Sequence, residues 1–368
     1  MNDLIHEIRG LIQSARTAVV HSIDLIQVLT NFEIGRRIVE HEQQGADRAE
    51  YGESTLKDLA ATLTGEFGKG YSLTNLKMMR KFYLTYRSKI GQTASGFLPQ
   101  NQKGQTASDQ LLKSATRSRK SGAVEISQTP SGKFTLGWSH YIFLLGIKDD
   151  GERSFYEIEA AQLGWSLREL KRQFNSGLYE RLALSRDRDG IRKLAAEGQI
   201  ISRPEDLLKE PLVLEFLGLD EKVKYSESDL ESAIIDKLEH FLLELGKGFL
   251  FEARQKRFTF DEEHFFVDLV FYNRLLRCYV LLDLKIGKLN HGDLGQMQMY
   301  VNYFDRHVKL AAEAPTVGIV LCKKKHDALV EITLPSDANI HAKEYQLYLP
   351  DKELLRRKLT EWGEEVGE

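Results

Sequence analysis

Along the first ninety residues, apolar side chains return every three to four positions: Ile5, Ile8, Ile12 and Ala15, then Leu25, Val28, Leu29 and Phe32, with polar residues between. That is the period at which an α-helix turns one face inward, so the chain is expected to open as a helical bundle. The pattern continues over 31–42 and 54–67. Gly68 and Gly70 then interrupt it, and Ser72 is placed to cap a further helix over 73–86. Residues 91–132 lose the period; rich in Gln, Ser, Thr, Gly and Lys, with Phe97 their single aromatic residue and a local charge of +3, they read as a flexible insertion. Helices are expected again over 138–145 and 153–184, and the segment 207–219, following Pro204 and holding Pro211, reads as a bridge.

Beyond the bridge the rhythm changes. A helix over 228–245 ends at Gly246, and the next apolar segments are short and rich in Phe, Val and Tyr: 249–260, 265–272, 278–284 and 316–322, with a helical stretch over 293–308 before the last. This succession predicts an α/β C-terminal domain over 216–350, a mixed sheet flanked by helices, behind an all-α N-terminal domain over 1–215. Residues 351–368 read as a charged C-terminal tail without an evident task.

Composition narrows the function classes. The 368 residues suffice for two cores, and 42 % hydrophobic with 29 % charged residues is the balance of a globular chain. No apolar run approaches the roughly 20 residues of a membrane span, and the opening MNDLIHEIRG has no leader-like succession, so a cytoplasmic location is expected. Cys278 and Cys322 lie in apolar runs without partners at metal-ligand spacing and read as buried thiols. A net charge of −3 provides no general attraction for a polyanion, so any nucleic-acid contact must be local. No Gly-rich phosphate loop with Lys-Ser or Lys-Thr and no Gly-x-Ser-x-Gly elbow is present, which removes ATP-driven motors and serine hydrolases of that type.

One local pattern suggests such a contact. Ala160, Gly164 and Leu170 have the spacing of a helix-turn-helix over 154–177, with Ser166 as cap of the second helix. Arg168, Lys171, Arg172 and Asn175 would then be candidates for phosphates and base edges. Plain bundle packing gives the same spacing.

The chemistry concentrates in the strands. Asp268 interrupts the apolar run 266–270, and Asp283-Leu284-Lys285 closes the next one. Carboxylates inside such strands need a strong partner, and a metal ion is one. Side chains alternate along a strand, so Asp283 and Lys285 share a face, and a tight hairpin over 273–276 puts Asp268 opposite or diagonal to Asp283. Two acids and an amine on one face suit metal-assisted phosphodiester hydrolysis. The acids would hold Mg2+ or Mn2+, and Lys285 would orient or deprotonate the attacking water. A third acid is sought on the preceding helix, where Glu231 is preferred to Glu239 and Glu244. On the following helix Gln296 and Tyr300, at i and i+4, can reach a phosphate or a bound water. His264 and His291 flank the acidic strands and read as packing or surface residues.

Asp, then Asp-x-Lys across a hairpin, then Gln-x-x-x-Tyr on the next helix, resembles the PD-(D/E)XK nuclease superfamily. Residues 241–249, Arg254-Gln255, 266–272, Cys278-Tyr279, Gly295-Gln296-Met297 and 318–322 are similar to the YhcG-type nuclease domain. Residues 34–36, 48–52, 67–72, Asn75-Leu76, Met79-Arg80 and 138–141 resemble the helical domain preceding it in that family. The resemblance implies a restriction-endonuclease-like core, an Mg2+-dependent site at Asp268, Asp283 and Lys285, and an N-terminal domain that binds DNA or protein. Val267 replaces the proline of the superfamily pattern, and the middle acid is Asp283 where Glu is commoner; neither change removes a ligand. The leading expectation is a DNA endonuclease acting on branched or mobile-element DNA, with a homodimer expected by analogy. RNA, hydrolysed by the same metal chemistry, ranks lower, as a third reading, because no platform of stacking aromatics is evident. The competing class is a non-catalytic module that binds nucleic acid or protein through a nuclease-like fold.

Overall fold

A computed structural model describes residues 24–43, 49–90, 134–184, 186, 188–207, 209–219, 224–335 and 337–365. The insertion expected over 91–132 and the apolar series from Ile5 to Ala15 lie outside them. The chain divides into two compact units, Met1–Arg153 and Ser154–Glu368. The sequence places its boundary at 215/216.

In the first unit the helical period is realised in α1 (24–43), α2 (Ala49–Phe67), α3 (Leu73–Ile90) and α4 (Trp138–Leu144). Ile38, Leu56, Ala60, Leu76 and Met79 form one core. Phe32, Phe82, Tyr86, Phe134 and Tyr141 form another in which neighbouring ring centroids lie 5.0–6.0 Å apart, the spacing of tilted and edge-to-face aromatic pairs.

The stretch 153–184, which reads as helical throughout, is three helices: α5 (Asp150–Leu163), α6 (Leu167–Asn175) and α7 (Leu178–Ala183). Gly164, at φ +62°, turns the chain between α5 and α6, and Ser166 accepts from Glu169 N to cap α6. Ala160 and Leu170 are fully buried. Helix α8 (Arg188–Glu197) and a two-residue strand β1 (Leu212–Val213) follow. The helix expected over 228–245 breaks at Lys237 into α9 (Glu227–Asp236) and α10 (Leu238–Leu245), and a capping box of Ser226 and Asp229 starts α9.

The sheet continues with β2 (Phe249–Phe260), β3 (Glu263–Asn273) and β4 (Cys278–Lys288), then α11 (His291–His307), β5 (Val317–Lys324), α12 (Asp327–Thr333) and β6 (Ile340–Gln346). Its order is β1-β6-β5-β4-β3-β2, parallel from β1 to β4 and antiparallel from β4 to β2, so the mixed α/β expectation holds. The hairpin over 273–276 forms as expected, with Asn273 Oδ1 accepting from the backbone of Leu275 and Leu276. Leu230, Ile234, Phe241 and Leu245 cover one face of the sheet and Leu294, Met297, Tyr300 and Phe304 the other. Gly318 admits this second layer: a Cβ there would meet the Met297 side chain at 2.7 Å.

The tail has a task after all. Helix α13 (Lys352–Glu365) packs on α7. Leu355 is buried, Arg356 Nε donates to Glu180 Oε1 at 3.1 Å, and Lys352 Nζ lies 3.1 Å from the Phe174 ring centroid. Among the described residues no helix is long and apolar enough to cross a membrane.

Candidate active site

Leu281 on β4 packs in the layer with α11, so alternation places Asp283 and Lys285 on that side, and Asp268, whose charge acts with that of Asp283 on Tyr300 of α11, joins them from β3. The β3–β4 ladder runs from Asn273↔Cys278 to Leu269↔Leu282 and then stops. From there β3 stays with β2 as far as Glu263, while β4 stays with β5 as far as Lys288. The sheet forks at this point, and one step further in register Asp268 stands opposite Asp283. Asp268 Oδ2 accepts from Leu284 N at 2.8 Å, closing the ladder with a side chain.

Lys285 Nζ lies 2.8 Å from Asp283 Oδ2 and 3.9 Å from Glu227 Oε2 of α9. Asp283 is 2 % exposed. Burial first, then the Asp268 carboxylate, push its carboxyl up to about 7 against the opposing pull of Lys285. The Lys285 ammonium, which burial alone would lower, is held up chiefly by Asp283. The site is thus short of positive charge even with its lysine in place. Asp283 Oδ2 also accepts no hydrogen bond of good geometry. Hard carboxylate oxygens in that condition fit a divalent cation.

On α11, Gln296 donates to the Tyr300 hydroxyl, so the expected i,i+4 pair is joined. Burial raises the phenol and the hydrogen bond from Gln296 acts against it, while the charges of Asp283 and Asp268 add to the rise, which puts the ring within electrostatic range of both acids.

Glu231 is not beside the aspartates. It is 4 % exposed on α9 and accepts from Arg254 and, through Oε2, from Gln255 Nε2 at 2.6 Å. The same Gln255 amide donates to Asp268 Oδ1 at 3.0 Å. Among the described residues no three His, Cys, Asp or Glu side chains are grouped to hold a metal ion. The expected third ligand is therefore corrected to a residue one amide away from the pair, because Arg254 and Gln255 occupy its carboxylate. Gln255, opposite Asp268 in the β2–β3 register, has φ +46°, a conformation that non-glycine residues seldom adopt outside constrained sites. Its role escapes the sequence reading. The register implied by a two-residue turn at Asp261-Glu262 was the signal available.

The other candidates fall elsewhere. Glu239 is exposed. Glu244 is fully buried beneath Arg181, whose Nη1 donates to it at 2.7 Å, and it also accepts from Val213 N. Burial would raise its carboxyl, but Arg181, Lys209 and Arg172 outweigh this and bring it down to about 2. Arg172, read as a nucleic-acid contact, instead donates to Glu215 Oε1 at 2.8 Å and lies 3.3 Å from Glu169 and 3.4 Å from Glu244. That expectation is corrected: three carboxylates draw the guanidinium inward. Arg168, Lys171 and Asn175 are exposed on α6. His264 contacts Arg257 and Thr259, and His291 is exposed at the start of α11. Cys278 and Cys322 are buried free thiols, each pushed up by burial to about 11.

Residues 7–181 match the DUF1016 N-terminal domain and residues 205–360 match the YhcG PDDEXK nuclease domain. The chain is 42 % identical over 360 residues, 97 % of its length and 93 % of the relative's, to "Putative nuclease YhcG" of Escherichia coli (strain K12). A repair endonuclease from Pyrococcus abyssi aligns at 17 % identity and TM-score 0.24 over 36 % of this chain and 50 % of that one. A complex titled EndoMS-dsDNA2 aligns at 15 % identity and TM-score 0.24 over the same shares. With a helical N-terminal part, a forked mixed sheet and both family matches in chain order, the chain belongs to the YhcG family of PDDEXK nucleases.

Proposed function

We propose that the chain is a metal-dependent DNA endonuclease that cleaves phosphodiester bonds at the fork between β3 and β4. The observation that carries the reading is the meeting of Asp268, Asp283 and Lys285 there, with Asp283 pressed by burial and a second acid. Asp268 and Asp283 would hold Mg2+ or Mn2+. The ion, when bound, supplies charge stabilisation at the scissile phosphate. Lys285, 2.8 Å from Asp283, orients the phosphate or the attacking water by donating hydrogen bonds. Tyr300 and Gln296 offer a phenol and an amide on the same side. Gln255 fixes Asp268, and Glu231 fixes Gln255. Arg168, Lys171 and Asn175 are assigned to contacts with DNA outside the cleaved bond.

The purified protein is expected to cut at least one of linear, supercoiled or branched DNA with Mg2+ or Mn2+, and to stop when a chelator is added. Cleavage of RNA alone would replace the substrate assignment. A second reading, binding without hydrolysis, draws on the separation of Glu231 from the aspartate pair. Failure of calorimetric titration to detect Mn2+ binding at millimolar concentration, together with retained DNA binding, would favour it.

A further prediction concerns Gln255. Its Ala variant is expected to lose about tenfold or more in cleavage, because Asp268 loses one of its two positioning hydrogen bonds. Gln255→Gly should lose activity similarly yet unfold no more readily than the parent, since glycine accepts φ +46° without strain. Thermal melts beside the cleavage assay separate the two effects.

A further inference from the structure

The parallel strands β4, β5 and β6 end together, and their carboxyl ends open a cavity of about 560 Å³. Open sheets with parallel strands take their ligands at this end. The cavity is lined by Lys288, Lys323 and Lys324 together with Glu344 and Tyr348. Lys288 and Lys324 are register partners, so their side chains start from neighbouring strands roughly 5 Å apart. All three lysines are exposed, and among the described residues none is ion-paired. The next lysines are different: Lys325 and Lys343 are both tied to Glu210. Glu344 is engaged too, its Oε1 accepting from Lys325 N at 2.8 Å. Three ammonium groups against the one carboxylate of Glu344 leave the cavity with a net positive charge. Its lining begins at Ile286, next to Lys285 on the same strand, and Lys288 follows three residues beyond Lys285, roughly 10 Å along the strand.

We infer that this lysine-lined cavity grips the phosphodiester backbone of the DNA duplex cut at the fork, a conclusion that rests on the nuclease reading for the identity of its ligand. Ammonium groups without acidic partners displace the counterions of a duplex, so such a grip is salt-dependent and indifferent to base sequence. The rest of the molecule need not be basic for it, which reconciles DNA binding with a net charge of −3.

The test is binding of a short fluorescein-labelled DNA duplex to the full chain in EDTA, followed by anisotropy over a series of KCl concentrations. Replacing Lys288, Lys323 and Lys324 together by Ala is expected to weaken binding about tenfold or more at low salt. The slope of log affinity against log salt should become shallower by about 3, close to 0.9 for each phosphate no longer neutralised. The triple Arg variant should retain the parent's slope, and both variants should melt with the parent. An unchanged slope in the Ala variant, or a loss confined to an RNA duplex, overturns the inference. Wild-type protein that grips DNA through these lysines but never cuts it refutes the nuclease reading and leaves the grip standing.

Discussion

Asp283→Asn is expected to reduce cleavage by about 10³-fold or more, equivalent to about 4 kcal/mol of lost transition-state stabilisation, without unfolding the protein. Asparagine has the same shape, so the fork should keep its geometry; what disappears is one of the two charges that would hold the cation. Stability should move the other way. The carboxyl titrates near 7 in the fold, above its unfolded value, so its ionisation works against folding at every pH above that unfolded value, fully so above about 7. Removing the charge should therefore stabilise the protein at pH 8, on the order of 1 kcal/mol, because Lys285 loses part of its pairing at the same time. The gain should vanish by pH 4. Calorimetric melts at both pH values, beside single-turnover cleavage, measure the two effects. A variant that cuts at the parent rate removes Asp283 from the chemistry.

Glu244→Gln is expected to be the costliest single change to stability in the second unit. The carboxylate is fully buried beneath Arg181, itself fully buried, with Arg172 3.4 Å away and the Lys209 ammonium donating to the residue's own backbone carbonyl. Neutralising it leaves buried cations without their counter-charge, at a cost of about 3–5 kcal/mol. The pH dependence has a fixed sign. A carboxyl held near 2 in the fold and near 4.3 unfolded contributes stability that is complete above about 4.3 and fades as pH falls toward 2. Urea unfolding should accordingly show a wide gap between parent and variant at pH 7 that narrows through that window. A constant gap would mean that packing, not charge, is responsible.

The acids at the fork were legible in the sequence for physical reasons. A period of two fixes which face each strand residue takes, and the short connection after Asn273 sets the register that brings Asp268 opposite Asp283. Gln255 was not legible in the same way, because the turn that would give its register, Asp261-Glu262, adopts positive φ at both residues without the glycine or asparagine that normally marks such a turn. The break at Lys237 was hidden by an apolar period that runs unbroken from Leu230 through Ile234 to Leu238 and Phe241. β6 was missed because Ile340–Gln346 mixes His, Lys, Glu and Gln with its apolar residues and lacks a strand-like alternation. Arg172 and Glu244 illustrate a further limit. Their side chains have the chemistry of a phosphate contact and a metal ligand, but they meet each other across 72 positions of chain, and no local pattern announces a long-range ion pair.

The seat of α13 bears on where the protein can be shortened. Its Leu355 fills the space beside Gly177, and Lys352 and Arg356 supply the charge partners of the buried Glu180. A truncation after residue 350, which the end of the sheet invites, would uncover this seat, expose an apolar patch on α7 and take two cations away from Glu180. A cut placed beyond the first turns of α13 keeps Lys352, Leu355 and Arg356 in the seat, so the helix, not the end of the sheet, marks how far the chain can be shortened.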